Sequence, residues 1–274
     1  MKISDLERFL EEDVGSRDIS GEAVPEIPVT AQIKADEAGY LAGLEEIKSI
    51  FEHLALNVDS QFTDGSEIKK GDVVLEINGS SRSILAAERL ALNFLGRMSG
   101  IASLTRECVK ISGGVTIAGT RKTTPGFREY EKKAIAIGGG DPHRFTLSDA
   151  ILIKDNHIKI AGLEKAIMNA KKIHPTEEIE IEVDNSKDAI KVAKLGVNTI
   201  MFDNMSPEEI NYAVDELKKA DLRSRIKLEA SGGINMGNIK EFARTGVDMM
   251  SLGILTHSSP WVNFSLDITK VDLN

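Results

Sequence analysis

The pattern of apolar and polar positions changes character along the chain. Between residues 20 and 80 it alternates in short runs, Val29-Thr30-Ala31-Gln32-Ile33-Lys34-Ala35 and Asp72-Val73-Val74-Leu75-Glu76-Ile77, a period of two that predicts half-buried strands. Asp64-Gly65 and Lys70-Gly71-Asp72 supply turn signals. Between the runs, Gly43 to Leu56 has a helical period, with Ile47, Ile50, Phe51 and Leu54 on one stripe. A further helix is predicted from Ala86 to Met98, where Leu90, Phe94 and Leu95 oppose Glu88, Arg89 and Arg97. Ser99-Gly100 then punctuates the chain, and a separate helix is predicted from about Ile101 to Ile111. This reads as a small α/β domain over residues 1–99, with the boundary at Ser99-Gly100.

From Gly114 onward a strand-then-helix unit repeats. Strand-like runs start near Val115, Ala150, Glu178, Thr199, Lys227 and Met249, and the last five starts are 28, 21, 28 and 22 residues apart. That is the spacing of βα units. Ser206-Pro207-Glu208-Glu209 opens one intervening helix with a capping box and a proline at its first position. Sequential parallel strands with helical crossovers favour a β/α barrel over an open doubly wound sheet. No Gly-x-Gly-x-x-Gly follows the first strand, which removes the main argument for a dinucleotide-binding sheet.

Composition changes this picture only at a few points. The 274 residues are 41% hydrophobic and 28% charged, and apolar stretches of about four residues fall far short of a bilayer span. No membrane helix is expected. The N-terminal Met1-Lys2-Ile3-Ser4-Asp5-Leu6-Glu7 lacks the apolar block of a signal peptide, so a cytoplasmic location is expected. Thirty-four basic against 43 acidic residues give −9, which opposes attraction to a nucleic acid backbone. An anionic ligand would need a local cationic cluster. Cys108, the single cysteine, excludes an internal disulfide and a cysteine-rich metal site, and is expected to be a structural thiol on a helix.

Strand parity locates the chemistry. Glu178-Ile179-Glu180-Ile181-Glu182-Val183-Asp184 sets Ile179, Ile181 and Val183 on the helix-facing side, so Glu180 and Glu182 point into the barrel. The same parity sends Lys227, Glu229 and Ser231 inward, and Asp203 and Lys154 can join them. One such run also fits a solvated edge strand. Four strands with charged residues near their C-terminal ends point instead to the catalytic face of a barrel, since buried charge must be paired, hydrated or bound to ligand.

Two loops carry cations. Gly119-Thr120-Arg121-Lys122-Thr123-Thr124-Pro125-Gly126 follows the first barrel strand, and Gly138-Gly139-Gly140-Asp141-Pro142-His143-Arg144-Phe145 precedes the next. With Lys154 they form a set able to hold two carboxylates. Ser231-Gly232-Gly233-Ile234-Asn235, read as joining a strand to a helix N-terminus, and Ser251-Leu252-Gly253-Ile254-Leu255-Thr256 suit a phosphate. Zinc chemistry has no support, because neither His-Glu-x-x-His nor Cys-x-x-Cys occurs and His53, His174 and His257 are isolated, read as structural or surface residues. Inward Glu182 and Asp203 suit Mg²⁺.

Together, Thr120-Arg121-Lys122-Thr123-Thr124-Pro125-Gly126, Gly138-Gly139-Gly140 with His143-Arg144-Phe145, and Ile151-Leu152-Ile153-Lys154-Asp155-Asn156-His157-Ile158 resemble the quinolinate phosphoribosyltransferase family. The likeness extends through Ala87-Glu88-Arg89, Leu92-Asn93-Phe94-Leu95, Ser99-Gly100-Ile101-Ala102, Glu180-Ile181-Glu182-Val183-Asp184, Phe202-Asp203-Asn204, Glu229-Ala230-Ser231-Gly232-Gly233 and Gly253 with Leu255-Thr256-His257. It covers most of the chain from about residue 17. The resemblance implies an open, TIM-like β/α barrel over 100–262 beside a smaller N-terminal α/β sandwich domain (1–99), on which a tail over 263–274 would pack. It further implies an obligate homodimer with shared active sites, with higher assembly left open, and conversion of quinolinate and phosphoribosyl pyrophosphate to nicotinate mononucleotide, pyrophosphate and CO₂ in NAD biosynthesis.

By position, the resemblance implies that Arg121, Lys122, His143, Arg144 and Lys154 surround quinolinate, with Arg89 reaching across from the partner subunit. Lys122, Lys154, Glu182 and Asp203 would be the catalytic set, Glu182 and Asp203 serving the ribose and the Mg²⁺-pyrophosphate. Ser231, Gly232, Gly233 and Gly253 would hold the 5-phosphate. Thr146 and Ser148 depart from the residues usual in the family, which bears on loop packing more than on chemistry. The alternatives are a related barrel of molybdenum-transport operons, a Schiff-base lyase using Lys154, and a phosphate-ligand sensor without turnover. The intact Lys154-Asp155-Asn156-His157 run and the complete cation set speak against the first.

Overall fold

The alternation of the first run becomes β1 (Pro28–Ala35), in which Val29, Ala31, Ile33 and Ala35 are buried. The computed structural model describes residues 1–271; residues 272–274, the end of the expected tail, lie outside the described residues. The chain divides into two compact units, residues 1–104 with the segment from Ser259 on, and Thr105–Ser258.

The first unit holds α1 (Ile3–Val14), β1, β2 (Gly39–Tyr40), α2 (Leu44–His53), β3 (Asn57–Asp59), β4 (Glu67–Ile68), β5 (Val73–Ser80) and the first part of α3 (Ser81–Ile111). The second holds the rest of α3, then β6 (Thr116–Ala118), α4 (Arg128–Ile137), β7 (Ile151–Ile153), α5 (Asp155–Ala161), α6 (Leu163–Ile173), β8 (Ile179–Val183), α7 (Ser186–Lys194), β9 (Thr199–Asp203), α8 (Pro207–Lys219), β10 (Lys227–Ser231), α9 (Ile239–Ala243), β11 (Met249–Ser251) and α10 (Ile254–His257). The last strand, β12 (Phe264–Val271), belongs to the first unit. There the four-stranded sheet has the order β12-β1-β5-β3, antiparallel throughout, so the tail adds an edge strand beside β1. Ile47, Ile50 and Phe51 of α2 are fully buried, as the stripe predicts.

The predicted break at Ser99-Gly100 does not occur. α3 is one helix of 31 residues. Its fully buried positions, Ile84, Ala87, Ala91, Phe94, Leu95, Met98, Ile101, Ala102, Thr105 and Cys108, keep a three-and-four spacing straight through the supposed stop. Gly100 is there for close approach: a Cβ at this position would collide with the Pro260 carbonyl, and one at Gly96 would press on the Trp261 ring. Ser99 is equally occupied, its hydroxyl accepting the Ala42 N–H at 3.0 Å and donating to the Ala42 carbonyl.

In the second unit six parallel strands take the order β6-β11-β10-β9-β8-β7. Their starts lie within a residue of the predicted ones. Among the described residues no ladder joins β6 to β7, so the barrel is open there, and Asp141 makes a single parallel bridge to Ala118 in the gap. Ser206 and Glu209 form the expected reciprocal cap at the start of α8.

Candidate active site

Register sets the floor of the site. Glu182, Asp203 and Ser231 stand at or next to the C-terminal ends of three adjacent parallel strands, with Ser231 paired in register to both Asp203 and Ser251. Glu180 and Glu229 point inward, as parity predicts, and are buried. Lys227 does not share their setting. It is exposed at the start of β10, where it lines a surface hollow with Arg223, Arg225 and Asp248, because inward parity at the first residue of a strand reaches the opposite mouth of the barrel.

A cavity of about 290 Å³ opens at the C-terminal mouth. Arg121, Lys122, His143, Arg144, Lys154, Glu182, Asp203, Glu229 and Ser231 all line it, together with Thr120 and Ser251. Lys154 is ion-paired with Glu182. Glu182 and Asp203 also border a larger, more acidic hollow of about 650 Å³ that includes Asp155, Asp184, Asp188 and Glu209. A third hollow, of about 260 Å³, joins Ser231, Gly232, Gly233 and Gly253 to Lys122, Ser251 and His257. His257, read from sequence as isolated, therefore faces the glycine turn. Arg89 is an exposed residue of α3 in the first unit.

The glycine turn differs from its expected form. Residues 232–238 are a turn, and the helix that follows, α9, begins only at Ile239 and has five residues. Gly232 has φ of 93°, and a Cβ there would meet Asn204, so glycine is required by both conformation and space. Asn238 holds the turn, donating to the Gly233 carbonyl at 3.0 Å and accepting the Asn235 N–H at 2.8 Å. Gly253 caps the N-terminus of α10, which leaves its end of the hollow rich in backbone donors.

Both cationic loops are pinned by the helix between them. Glu131 of α4 is fully buried, and its carboxylate accepts the Thr124 N–H at 3.1 Å and the Thr124 hydroxyl at 3.0 Å. Arg128 donates to the Thr123 hydroxyl and to the Phe145 carbonyl. The Thr256 hydroxyl donates to the Lys122 carbonyl at 2.6 Å. In the second loop the departing residue Thr146 is well used: Asp149 accepts the N–H groups of Phe145 and Thr146 and the Thr146 hydroxyl, which holds its carboxyl below the usual range. Sequence reasoning missed Glu131 and Lys132, because the helix that buries them, α4, was not read from the sequence.

His143 is more constrained than a simple donor to substrate. Its Nδ1 accepts the Arg144 backbone N–H at 2.8 Å, so the ring proton sits on Nε2, which faces Glu229 Oε2 at 3.3 Å and Glu180 Oε2 at 3.8 Å. The hydrogen bond to Glu229 holds the imidazole above its ordinary pKa, against the opposing effect of burial. Glu180 is pushed well above the carboxylate range, first by burial and then by the neighbouring Glu229. Among the described residues, His143, Glu180 and Glu229 are the group of three whose ligand atoms lie within 4.8 Å of one another, while Glu182 and Asp203 form no such triad.

The site contains buried polar atoms that the protein itself leaves unpartnered. Arg121 Nε and Ser251 Oγ are buried without a protein partner, as are one oxygen each of Glu180 and Glu229. Burial and the adjacent Arg121 make the charge on Arg144 costly. A dianion between them relieves that cost.

Residues 101–267 match the family described as quinolinate phosphoribosyl transferase, C-terminal domain, and residues 18–99 match its N-terminal domain. The chain is 46% identical over 252 residues to a probable nicotinate-nucleotide pyrophosphorylase (carboxylating) of Archaeoglobus fulgidus, covering 90% of this chain and 97% of that one. It is 37% identical over 247 residues to the human nicotinate-nucleotide pyrophosphorylase (carboxylating), covering 88% and 82%. The crystal structure of NadC from Streptococcus pyogenes superposes with a TM-score of 0.91 at 41% identity, over 98% of this chain and 96% of that one. With both of its domains matched in order and relatives aligned over nearly their whole length, the chain belongs to the quinolinate phosphoribosyltransferase family.

Proposed function

We propose that the cavity at the barrel mouth is where this carboxylating phosphoribosyltransferase joins quinolinate to phosphoribosyl pyrophosphate, releasing pyrophosphate and CO₂ and leaving nicotinate mononucleotide. The observation that carries the reading is the convergence of Arg121, Lys122, Arg144 and Lys154 with Glu182 and Asp203 on one cavity, beside the hollow of the glycine turn. Arg121 and Arg144 grip the two ring carboxylates, and Lys122 and Lys154 add point charges. Ser231, Gly232, Gly233 and Gly253 take the 5-phosphate through backbone N–H groups.

Bond changes follow from this placement. The bond from C1 of the ribose to pyrophosphate breaks as the pyridine nitrogen bonds to C1, and the positive charge that develops on the sugar faces Glu182 and Asp203. The resulting pyridinium then holds the electron pair left on the ring carbon when the adjacent carboxylate departs as CO₂, and a proton takes its place. No covalent link to the protein is needed. Lys154, paired with Glu182, acts as a charge and not as an amine nucleophile.

Two half-buried carboxylates with open space beside them suit Mg²⁺, which takes few protein oxygens and fills its shell with water and substrate phosphates. Glu182 and Asp203 would hold it. When bound, it supplies charge neutralisation for the leaving pyrophosphate. A homodimer completes the reading: the exposed Arg89 would serve the site of the neighbouring copy.

The test is turnover. Purified protein with quinolinate, phosphoribosyl pyrophosphate and Mg²⁺ is expected to release pyrophosphate and CO₂ in equal amounts, and chelation of the metal to stop it. Nicotinate in place of quinolinate should support little turnover, because one arginine would lose its carboxylate. Equal use of both would remove the role given to the 2-carboxylate.

A further inference from the structure

Lys132 is a buried charged residue of α4 to which the proposed reaction gives no role. It is fully buried, 0% exposed. Its ammonium donates to the carbonyl of Pro142 and, at 2.9 Å, to that of Arg144. These two carbonyls flank His143, whose φ of 56° lies in the left-handed region that residues other than glycine enter at a cost.

The arch is tied down at several further points. The His143 N–H donates to Asp141 Oδ1 at 2.7 Å, the Arg144 N–H donates to His143 Nδ1, and His143 Nε2 reaches down to Glu229. The Phe145 ring covers the lysine, 5.6 Å from its nitrogen. A surface turn would have no need of a desolvated ammonium beneath it. What the arch carries is the pair His143 and Arg144, both on the cavity wall.

We propose that Lys132 is a positioning residue for diacid recognition: its ammonium, held between the Pro142 and Arg144 carbonyls, fixes the arch that aims Arg144 at the dicarboxylate and adds one positive charge behind it. The inference rests on the reading of this cavity as the quinolinate site. It requires the ammonium form, since a neutral amine holds carbonyls more weakly and contributes no charge.

The surroundings bring that form close to its limit. Burial, and then Arg128, pull the amine down to about 8, with Arg121 and Arg144 acting in the same direction and Asp141 against them. His143, standing on Glu229 and Glu180, is a further titratable neighbour. As pH rises through this range the lysine loses its proton, the arch loosens and the cavity loses a charge. Quinolinate affinity falls with it. Phosphoribosyl pyrophosphate, held at the glycine turn, does not share the loss.

Calorimetric titration of the full-length protein between pH 7 and 9.5 tests this. For the wild type the Kd for quinolinate is expected to rise at least about tenfold, while that for phosphoribosyl pyrophosphate with Mg²⁺ changes less than about threefold. Lys132→Met should bind quinolinate weakly already at pH 7 and with a flat profile. Lys132→Arg, which keeps its charge throughout, should also be flat but tighter than the methionine variant. A wild-type profile that is flat, or a Lys132→Met profile that keeps the alkaline loss, overturns the proposal. If neither variant folds, the wild-type profile decides alone. Failure of the cavity reading looks different: quinolinate then does not bind the wild type at any pH.

Discussion

Arg144 and Arg121 bring two guanidinium groups to one cavity wall, where burial makes their repulsion expensive. A bound diacid relieves this, so Arg144→Ala should lose more than a surface ion pair is worth. A charge-assisted, forked pair contributes about 2–3 kcal/mol, or roughly 30- to 150-fold in quinolinate affinity. Affinity for phosphoribosyl pyrophosphate should stay near the wild-type value. Titration of both ligands checks it, and equal loss of both would take Arg144 out of the diacid site. Lys132 yields a second prediction, about stability. Its value is lowered to about 8 from 10.5, so between those limits the unfolded chain holds a proton that the native chain releases. Stability from this group therefore rises with pH across that window, and below it the full cost of about 3 kcal/mol is present. Lys132→Met removes that cost but leaves the Pro142 and Arg144 carbonyls without their donor, at about 1–3 kcal/mol each, so the two effects nearly offset at pH 7. Urea unfolding of both proteins should show the wild type gaining about 2 kcal/mol on the variant between pH 7 and 9.5. No relative gain would mean that the amine titrates normally. At this scale Arg121, Lys122, Arg144 and Lys154 were legible, because cations beside glycine turns and strand ends stand out in sequence. The double engagement of His143 was not, since it depends on a backbone angle and on a carboxylate 86 residues away.

The strand starts of the second unit were readable because short strand-like runs recur at the spacing of βα units, with apolar positions alternating against inward polar ones in β8 and β10. α3 shows where such reading fails. Glycine and serine read as punctuation, yet the apolar period crosses Ser99-Gly100 without a slip, and period outranks composition when the two conflict. The real cause of the glycine is the Pro260 carbonyl, far along the chain and invisible to any local window. The same geometry makes a prediction. Alanine at an open mid-helix position gains about 1 kcal/mol over glycine. At Gly100 the new methyl meets backbone, which cannot swing aside as a side chain does, and overpacking costs about 1–3 kcal/mol or more. Gly100→Ala should therefore lower the unfolding midpoint in a thermal melt, despite the better helix former. A raised midpoint would mean that the backbone of Pro260 and Trp261 yields easily and that Gly100 is there for another reason.

Across the fold, the open side of the barrel between β6 and β7 is where both cationic loops and α4 are inserted, so the arginines proposed to grip the diacid hang from loops while the acidic floor stands on strands. One cation of the expected set, Arg89, belongs to the first unit and is exposed. If it serves the neighbouring copy, each active site draws on two chains, and this has an arithmetic consequence. In a two-fold dimer, a chain carrying Arg89→Ala has an intact barrel and a chain carrying Arg144→Ala has an intact Arg89. Each variant alone should be nearly inactive. When the two are unfolded together and refolded at equal amounts, about half of the dimers are hybrids, and in each hybrid one of the two sites contains both arginines, so about a quarter of the wild-type activity should return. Arg89 acting within its own chain would leave every site in the mixture short of one arginine, and the mixture would be no more active than its components.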